Sequence, residues 1–299
     1  MTMTPRYCFS PSYACIEARG AVAATFLNGQ LSRAVDTLDN ALAPLAGWHD
    51  PRGRVRALLR VVRRDDRWWL VTPADVAAAT VKRLSMFVLR AAVKLEVPAD
   101  VGVGALLYAD GAWLAARGLP SATPVNGVVT LGALACVRLG PSLWHVIGPR
   151  ATVEAFAPEL PRAPEADAQL AEIRLGLPAI GTPLVEHFVA QMLNLDVLDA
   201  VSFDKGCFPG QEVIARVHHL GSVKRRMRRY ACALREPPPP ASALVDRDGA
   251  ERGEVVRAAP AEGAVELLAV VDHAAAADEL RSSGEPLREL PLPYVVPAE

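Results

Sequence analysis

At 299 residues, 51% of them hydrophobic and 22% charged, the chain has ample core for two or three structural units and is not a disordered polymer. A net charge of −1 argues against bulk attraction to nucleic acid or to an anionic membrane, since both need a strong positive field. Cysteines at 8, 15, 136, 207 and 232 are odd in number, scattered and without a CxxC pair. That pattern points to reduced thiols in the cytoplasm, with neither a disulfide framework nor a zinc cluster. Residues 1–9 lack a continuous apolar signal region, and no apolar run is long enough to span a bilayer.

Residues 13–18 are strand-like, and Gly20 leads into a short helical run at 21–27, with a second short helix expected around 32–38. Asp50-Pro51-Arg52-Gly53 carries proline and glycine where a type I turn wants them. It separates β-like runs at 42–49 and 55–62, and Asp65-Asp66 turns the chain again into 68–71. These three runs read as an antiparallel meander. A helix from Pro73 to about 91 and a strand at 93–97 complete an α+β layer. The middle of the chain repeats this order, with strands expected at 101–108, 112–115, 134–139 and 143–147, and a helix at 152–156. Residues 158–168 read as a proline-rich surface loop, and helices are expected at 170–175 and 184–193.

After Gly221 the character changes. Residues 223–234 are β-like, Pro237–Pro240 cannot join a helix or a central strand, and Asp246-Arg247-Asp248-Gly249 is a hairpin signal ahead of strands at 254–256 and 265–271. The division expected is an α+β region at 1–222 and a small β-barrel at 223–299.

The stretch with the most chemistry is Asp204-Lys205-Gly206-Cys207-Phe208-Pro209-Gly210-Gln211-Glu212. Pro209 suits the first position of a helix. Val213, Ile214 and Val217 then make an apolar stripe, with Glu212 and Arg216 at i,i+4 and Gly221 as the closing residue. Cys207 thus enters a helix N-terminus two residues after Lys205, and both neighbours favour a thiolate. The alternative is an ordinary glycine-rich loop with a buried cysteine. Asn194-Leu195-Asp196 places an amide and a carboxylate where they could hold a heterocycle's polar edge or cap a turn. Lys224, Arg225, Arg226, Arg228 and Arg229 form the basic cluster, but on a strand they alternate between faces and have only Tyr230 as an aromatic neighbour. His218 and His219 diverge by about 100° on a helix and share no ligand set. His145 and the remaining histidines are isolated. No phosphate loop and no GxSxG elbow is present.

Gln191-Met192-Leu193-Asn194-Leu195-Asp196, Val201-Ser202-Phe203-Asp204-Lys205-Gly206-Cys207-Phe208-Pro209-Gly210-Gln211-Glu212, Ala215-Arg216 and Lys224-Arg225 together resemble the signature of the YgfZ family. Its members are folate-binding relatives of the glycine-cleavage T-protein, linked to iron–sulphur cluster assembly or repair and to tRNA modification. Similarity extends to Gly20 and Phe26-Leu27-Asn28-Gly29-Gln30-Leu31-Ser32, to Asp50-Pro51-Arg52-Gly53-Arg54 and to Glu172-Ile173-Arg174-Leu175-Gly176-Leu177-Pro178. The opening motif's aspartate is Val22 here, the proline before Gln191 is Ala190, and Phe208 replaces a tyrosine.

The resemblance implies an aminomethyltransferase-type folate-binding fold, with two antiparallel-sheet α+β subdomains and a C-terminal β-barrel around a central cleft. It further implies tetrahydrofolate as cofactor and iron–sulphur proteins or assembly factors as partners. Cys207 and Lys205 are expected to carry the chemistry, with Asn194, Asp196, Gly210, Gln211, Glu212 and Arg216 toward the folate. Two rival readings stay open: a true aminomethyltransferase, and a non-catalytic module binding RNA or protein.

Overall fold

The computed structural model describes residues 4–220, 223–275 and 280–297. Three antiparallel sheets arise from the alternation of apolar and polar runs. The first sheet orders its strands Leu45–His49, Val55–Arg64, Arg67–Pro73, Tyr13–Arg19 and Lys94–Glu96. Its first hairpin is set at Asp50, whose Oδ1 accepts from Arg52 N (2.9 Å) and Arg54 N (2.8 Å), while Gly53 takes φ +77°. One face of this sheet buries Ile16, Trp48, Leu59 and Leu70 under the helices Ala23–Gln30 and Ala74–Ser85. The other face packs Cys15, Val62, Trp69 and Val71 onto the second sheet, through Val103, Leu107, Val137 and Ile147.

The second sheet runs Arg6–Phe9, Val101–Leu107, Leu143–Pro149, Leu134–Gly140 and Val128–Leu131. Its far face holds Tyr7, Leu106 and Trp144, packed against Val153 of the helix Arg150–Glu154. The third sheet has seven strands, Arg225–Cys232, Glu251–Ala261 and Ala264–Asp272 forming its long centre. The predicted turn at 246–249 joins Ala243–Val245 to Glu251–Ala261, with Asp246 Oδ1 accepting from the backbone of Asp248 and Ala250. A further core ties the first and third sheets together. In it Leu58, Ile173, Phe188, Leu195, Phe208 and Ile214 meet Met227, Leu268 and Val270.

Several expected elements differ, each for a local reason. Residues 32–38 form no helix, because Ser32 is buried and its hydroxyl accepts from Gly47 N (2.8 Å) and donates to Ala200 O (2.7 Å). Residues 112–115 belong to a short helix, Gly111–Ala115, whose first turn is capped by the Asp110 side chain accepting from Trp113 N. The helix expected from 170 starts at Glu165, after Pro164, with Glu165 and Asp167 favourable in its first turn. Residues 184–193 make two 3₁₀ turns, Thr182–Leu184 and Ala190–Leu193, separated by Glu186 in the left-handed region (φ +66°). There the backbone pairs with Val55, Glu186 N donating to Val55 O and Val55 N to Phe188 O, which helical bonding would forbid. The helix after Pro73 ends at Ser85, six residues short of expectation. Gly221, read as the end of the thiol-loop helix, and the boundary at 222 lie outside the described residues.

Candidate functional site

The centre of the molecule is a carboxylate. Glu172, on the helix Glu165–Arg174, is buried and receives one side chain from each sheet. Tyr13 of the first sheet donates its hydroxyl to Oε2 (2.8 Å). His145 of the second pairs its Nε2 with Oε1 (2.8 Å). Arg257 of the third donates from Nη2 to Oε2 (2.6 Å) and from Nη1 to Leu177 O (3.2 Å).

Burial alone would push the Glu172 carboxyl up. The Arg257 charge and the His145 hydrogen bond outweigh it, and hold the group at about 2. Burial pulls Arg257 down, but Glu172 more than offsets it and keeps the guanidinium charged. Arg60 also lies buried near this group and is lowered by burial to about 10. It donates to Ala43 O and Asn126 Oδ1.

Tyr13, Arg60, His145, Glu172 and Arg257 line a cavity of about 30 Å³, room for about one water. Tyr13 and Arg257 also line an adjoining cleft of about 280 Å³, walled by Ser12, Gln169, Pro238 and Pro240. The Nδ1 atom of His145 is buried and has no partner among the described residues.

The thiol loop is built separately. Cys207 is exposed, whereas Cys8, Cys15, Cys136 and Cys232 are buried. Lys205 does not serve the thiol as expected. Its Nζ donates to Asn28 O (2.5 Å), Leu31 O (2.6 Å) and Arg33 O (3.2 Å), which uses all three ammonium protons. Burial lowers this lysine to about 8, and its ammonium lies 5.2 Å from the Phe208 ring centroid. Lys205 therefore anchors the loop to the first helix's exit, and Phe208 plugs the shared core.

The helix begins at Gln211, two residues beyond Pro209. Gly210 takes φ +81°, and a Cβ there would lie 2.6 Å from Asp50 O and 2.7 Å from Gly53 Cα. The D-P-R-G and P-G-Q-E motifs are thus two turns in backbone contact. Glu212 and Arg216 pair with each other at 2.7 Å, both exposed.

Asn194, at φ +57°, is fully buried and donates Nδ2 to Met227 O (2.9 Å), while its Oδ1 has no partner among the described residues. Asp196 takes a bidentate pair from Arg226 (2.7 and 2.9 Å), and Arg226 also donates to Gln191 O. Gln191 Nε2 donates to Ile214 O (2.7 Å). The 191–196 segment is therefore a latch between the thiol-loop helix and the third sheet. None of Asn194, Asp196, Cys207, Gly210, Gln211, Glu212 or Arg216 lines the central cleft or its inner cavity.

The four arginines of the strand Arg225–Cys232 are each paired with an acid: Arg225 with Asp272, Arg226 with Asp196, Arg228 with Glu289 and Arg229 with Glu266. His218 stacks on Phe203 with ring centroids 3.8 Å apart. Among the described residues no cluster of His, Cys, Asp or Glu could hold a metal, and no helix is long and apolar enough to cross a membrane.

The sequence reading missed Tyr13, Arg60, His145 and Arg257, and treated Glu172 only as part of a helix motif. The available signal was a carboxylate between Ala171 and Ile173 on a helix face otherwise apolar.

Proteins named tRNA-modifying protein YgfZ align along most of this chain. That of Edwardsiella ictaluri is 29% identical over 297 aligned positions, covering 93% of this chain and 89% of its own. That of Sodalis glossinidius is 26% identical over 309 positions (95% and 91%), and that of Colwellia psychrerythraea 28% over 233 (75% and 71%). The chain resembles the YgfZ family throughout. No family model matches it. Among solved structures, the glycine cleavage system aminomethyltransferase T from Bartonella henselae superposes with a TM-score of 0.74. It covers 97% of this chain and 86% of its own, at 16% identity, so the likeness is one of fold. The fold of this YgfZ-like chain is accordingly the aminomethyltransferase T-protein fold expected from the signature.

Proposed function

We propose that this protein binds a reduced folate in the central cleft and maintains iron–sulphur proteins through the exposed thiol of Cys207. The observation that carries the reading is the Glu172 hub. A deeply buried carboxylate, held ionised by Arg257 and flanked by an unpartnered imidazole nitrogen, is a costly arrangement for structure alone.

The residues fit tetrahydrofolate. Tyr13, Pro238 and Pro240 offer an apolar wall, and Arg257 offers a donor at the inner end. A bound reduced folate supplies a nitrogen heterocycle that carries one-carbon units. Cys207 acts outward, toward a partner iron–sulphur protein or assembly factor. Lys205, Asn194, Asp196 and Gly210 fix its loop, while Gln211, Glu212 and Arg216 form the helix face beside it. The tRNA modification in the relatives' name enters as an indirect consequence, through an iron–sulphur enzyme that depends on this protein.

The test is an anaerobic tetrahydrofolate titration alongside complementation of a deletion strain. Tyr13→Ala is expected to weaken folate binding by about tenfold or more, in line with the loss of a stacked aromatic contact. Cys207→Ala should bind folate normally and fail to restore iron–sulphur enzyme activity. Absence of folate binding by the wild-type chain defeats the first half, and full rescue by Cys207→Ala defeats the second.

A second reading, aminomethyl transfer to folate, is favoured by the T-protein fold. Against it, Val22 is exposed at the position where the opening motif has its carboxylate. Tetrahydrofolate-dependent ammonia release from an aminomethylated lipoyl carrier would establish it.

A further inference from the structure

A second recess lies away from the central cleft, between the helix Ala74–Ser85 and the 182–185 turn. It encloses about 200 Å³. Trp48, Val76, Ala79 and Val185 form its apolar walls, with Arg56 and Arg83 as its cations. Volumes of this size hold one or two rings, below the several hundred Å³ of drug-sized ligands.

Three features bear on its occupant. The Arg56 guanidinium lies 5.4 Å from the Trp48 ring centroid, so charge and aromatic face already share one wall. Arg56 Nε (2.7 Å) and Arg83 Nη1 (3.1 Å) both donate to one oxygen of Glu186, Oε1. Glu186 itself stands at φ +66° between two 3₁₀ turns, its backbone fastened on both sides by Glu186 N to Val55 O (2.9 Å) and Arg54 Nη1 to Glu186 O (3.3 Å).

We propose that this recess binds a small aromatic carboxylate, whose anion takes the position now held by the Glu186 carboxylate between Arg56 and Arg83. The two arginines are converged on a carboxylate, which sets the charged group. The apolar walls and the tryptophan face set the flat body, and disfavour a compact, strongly hydrated anion such as phosphate. Glu186 is a built-in competitor, so the affinity of the wild-type site is set by the difference between the two carboxylates.

Isothermal titration of the full chain with 2-naphthoate, and with the neutral 2-naphthylmethanol, decides the matter. Saturable one-to-one binding of naphthoate is expected, with the alcohol weaker by about tenfold or more, as for loss of a charge-assisted pair. Glu186→Gln should tighten naphthoate by about tenfold by removing the competing charge, and Arg83→Met should weaken it by a similar factor. Ala79→Phe should abolish binding by filling the recess. Equal affinity for acid and alcohol, unchanged binding in Arg83→Met, or no tightening in Glu186→Gln would each overturn the proposal. So would the absence of heat from both wild type and Glu186→Gln at millimolar naphthoate. Glu186 and Arg83 are surface residues, so those two variants decide the case even if Ala79→Phe does not fold.

Discussion

Arg257 and Glu172 lie 2.6 Å apart across the junction of all three sheets, one on a strand of the third and the other on the helix beneath it. Both are almost fully withdrawn from water. Removing the cation leaves a buried carboxylate with only a tyrosine and a histidine. Arg257→Met is therefore expected to lose about 3–5 kcal/mol of stability in urea unfolding, the usual cost of breaking a buried pair. The double variant Arg257→Met/Glu172→Gln should recover a large part of that loss. A loss below about 1 kcal/mol in the single variant would show that the hub is not a buried ion pair in solution.

Acid stability follows from the same carboxyl, held at about 2 against an ordinary 4.5. The folded-state value is depressed, so its stabilisation is complete above pH 4.5 and is lost as pH falls through that window to 2. About 3 kcal/mol is at stake, and the Glu172→Gln variant should show a flatter profile there.

A second pH window belongs to His49. Burial lowers it from 6.5 to about 4, with a hydrogen bond between Nδ1 and Gly53 O acting in the opposite sense. The unfolded chain takes up this proton near pH 6.5 and the folded one resists until about 4. Stability should therefore fall as pH drops from 6.5 to 4, by up to about 3 kcal/mol. His49→Gln should flatten this step and leave the Glu172 step at lower pH in place.

Thiol accounting separates Cys207 from the rest. Burial pushes Cys8 up to about 11 and Cys136 up to about 12, and raises Cys15 and Cys232 as well. Titration of the native protein with an aromatic disulfide reagent should find one reactive thiol, absent in Cys207→Ala, and all five after denaturation. Fast reaction of a second native thiol would contradict the burial of the others.

The paired turns at Gly53 and Gly210 should respond unequally to alanine. At Gly53 the new Cβ meets Val213 at 3.2 Å, a side chain that can give way, so the cost is mainly the backbone conformation, about 1 kcal/mol. At Gly210 it meets backbone at 2.6 and 2.7 Å, so the turns must separate. A melting-temperature drop at least twice as large for Gly210→Ala is expected. Equal drops would mean that the two turns are not in contact.

The sequence disclosed the parts whose cause is local. The Asp50-Pro51-Arg52-Gly53 turn, the meander around it and the 246–249 hairpin all depend on residues within a few positions, and the structure has them. Elements governed by distant partners were not legible. Residues 184–193 have helical spacing of apolar groups, and those groups do share one core, but Val55 takes the backbone bonds that a helix would need. Lys205 looked like a thiol activator because Cys207 is two residues away, while its real partners are carbonyls more than 170 positions upstream. The hub was invisible for the same reason: Tyr13, His145, Glu172 and Arg257 are near only in space.

That separation along the chain sets an order of events during synthesis. A nascent polypeptide that has emerged as far as the helix Glu165–Arg174 already contains Tyr13, His145 and Glu172, yet lacks the Arg257 cation that pairs with the buried carboxylate. The interior cannot settle until the strand bearing Arg257 arrives, 85 residues later. A chain truncated before Arg257 is therefore expected to leave this carboxylate in water rather than buried, because burial without the paired cation is costly.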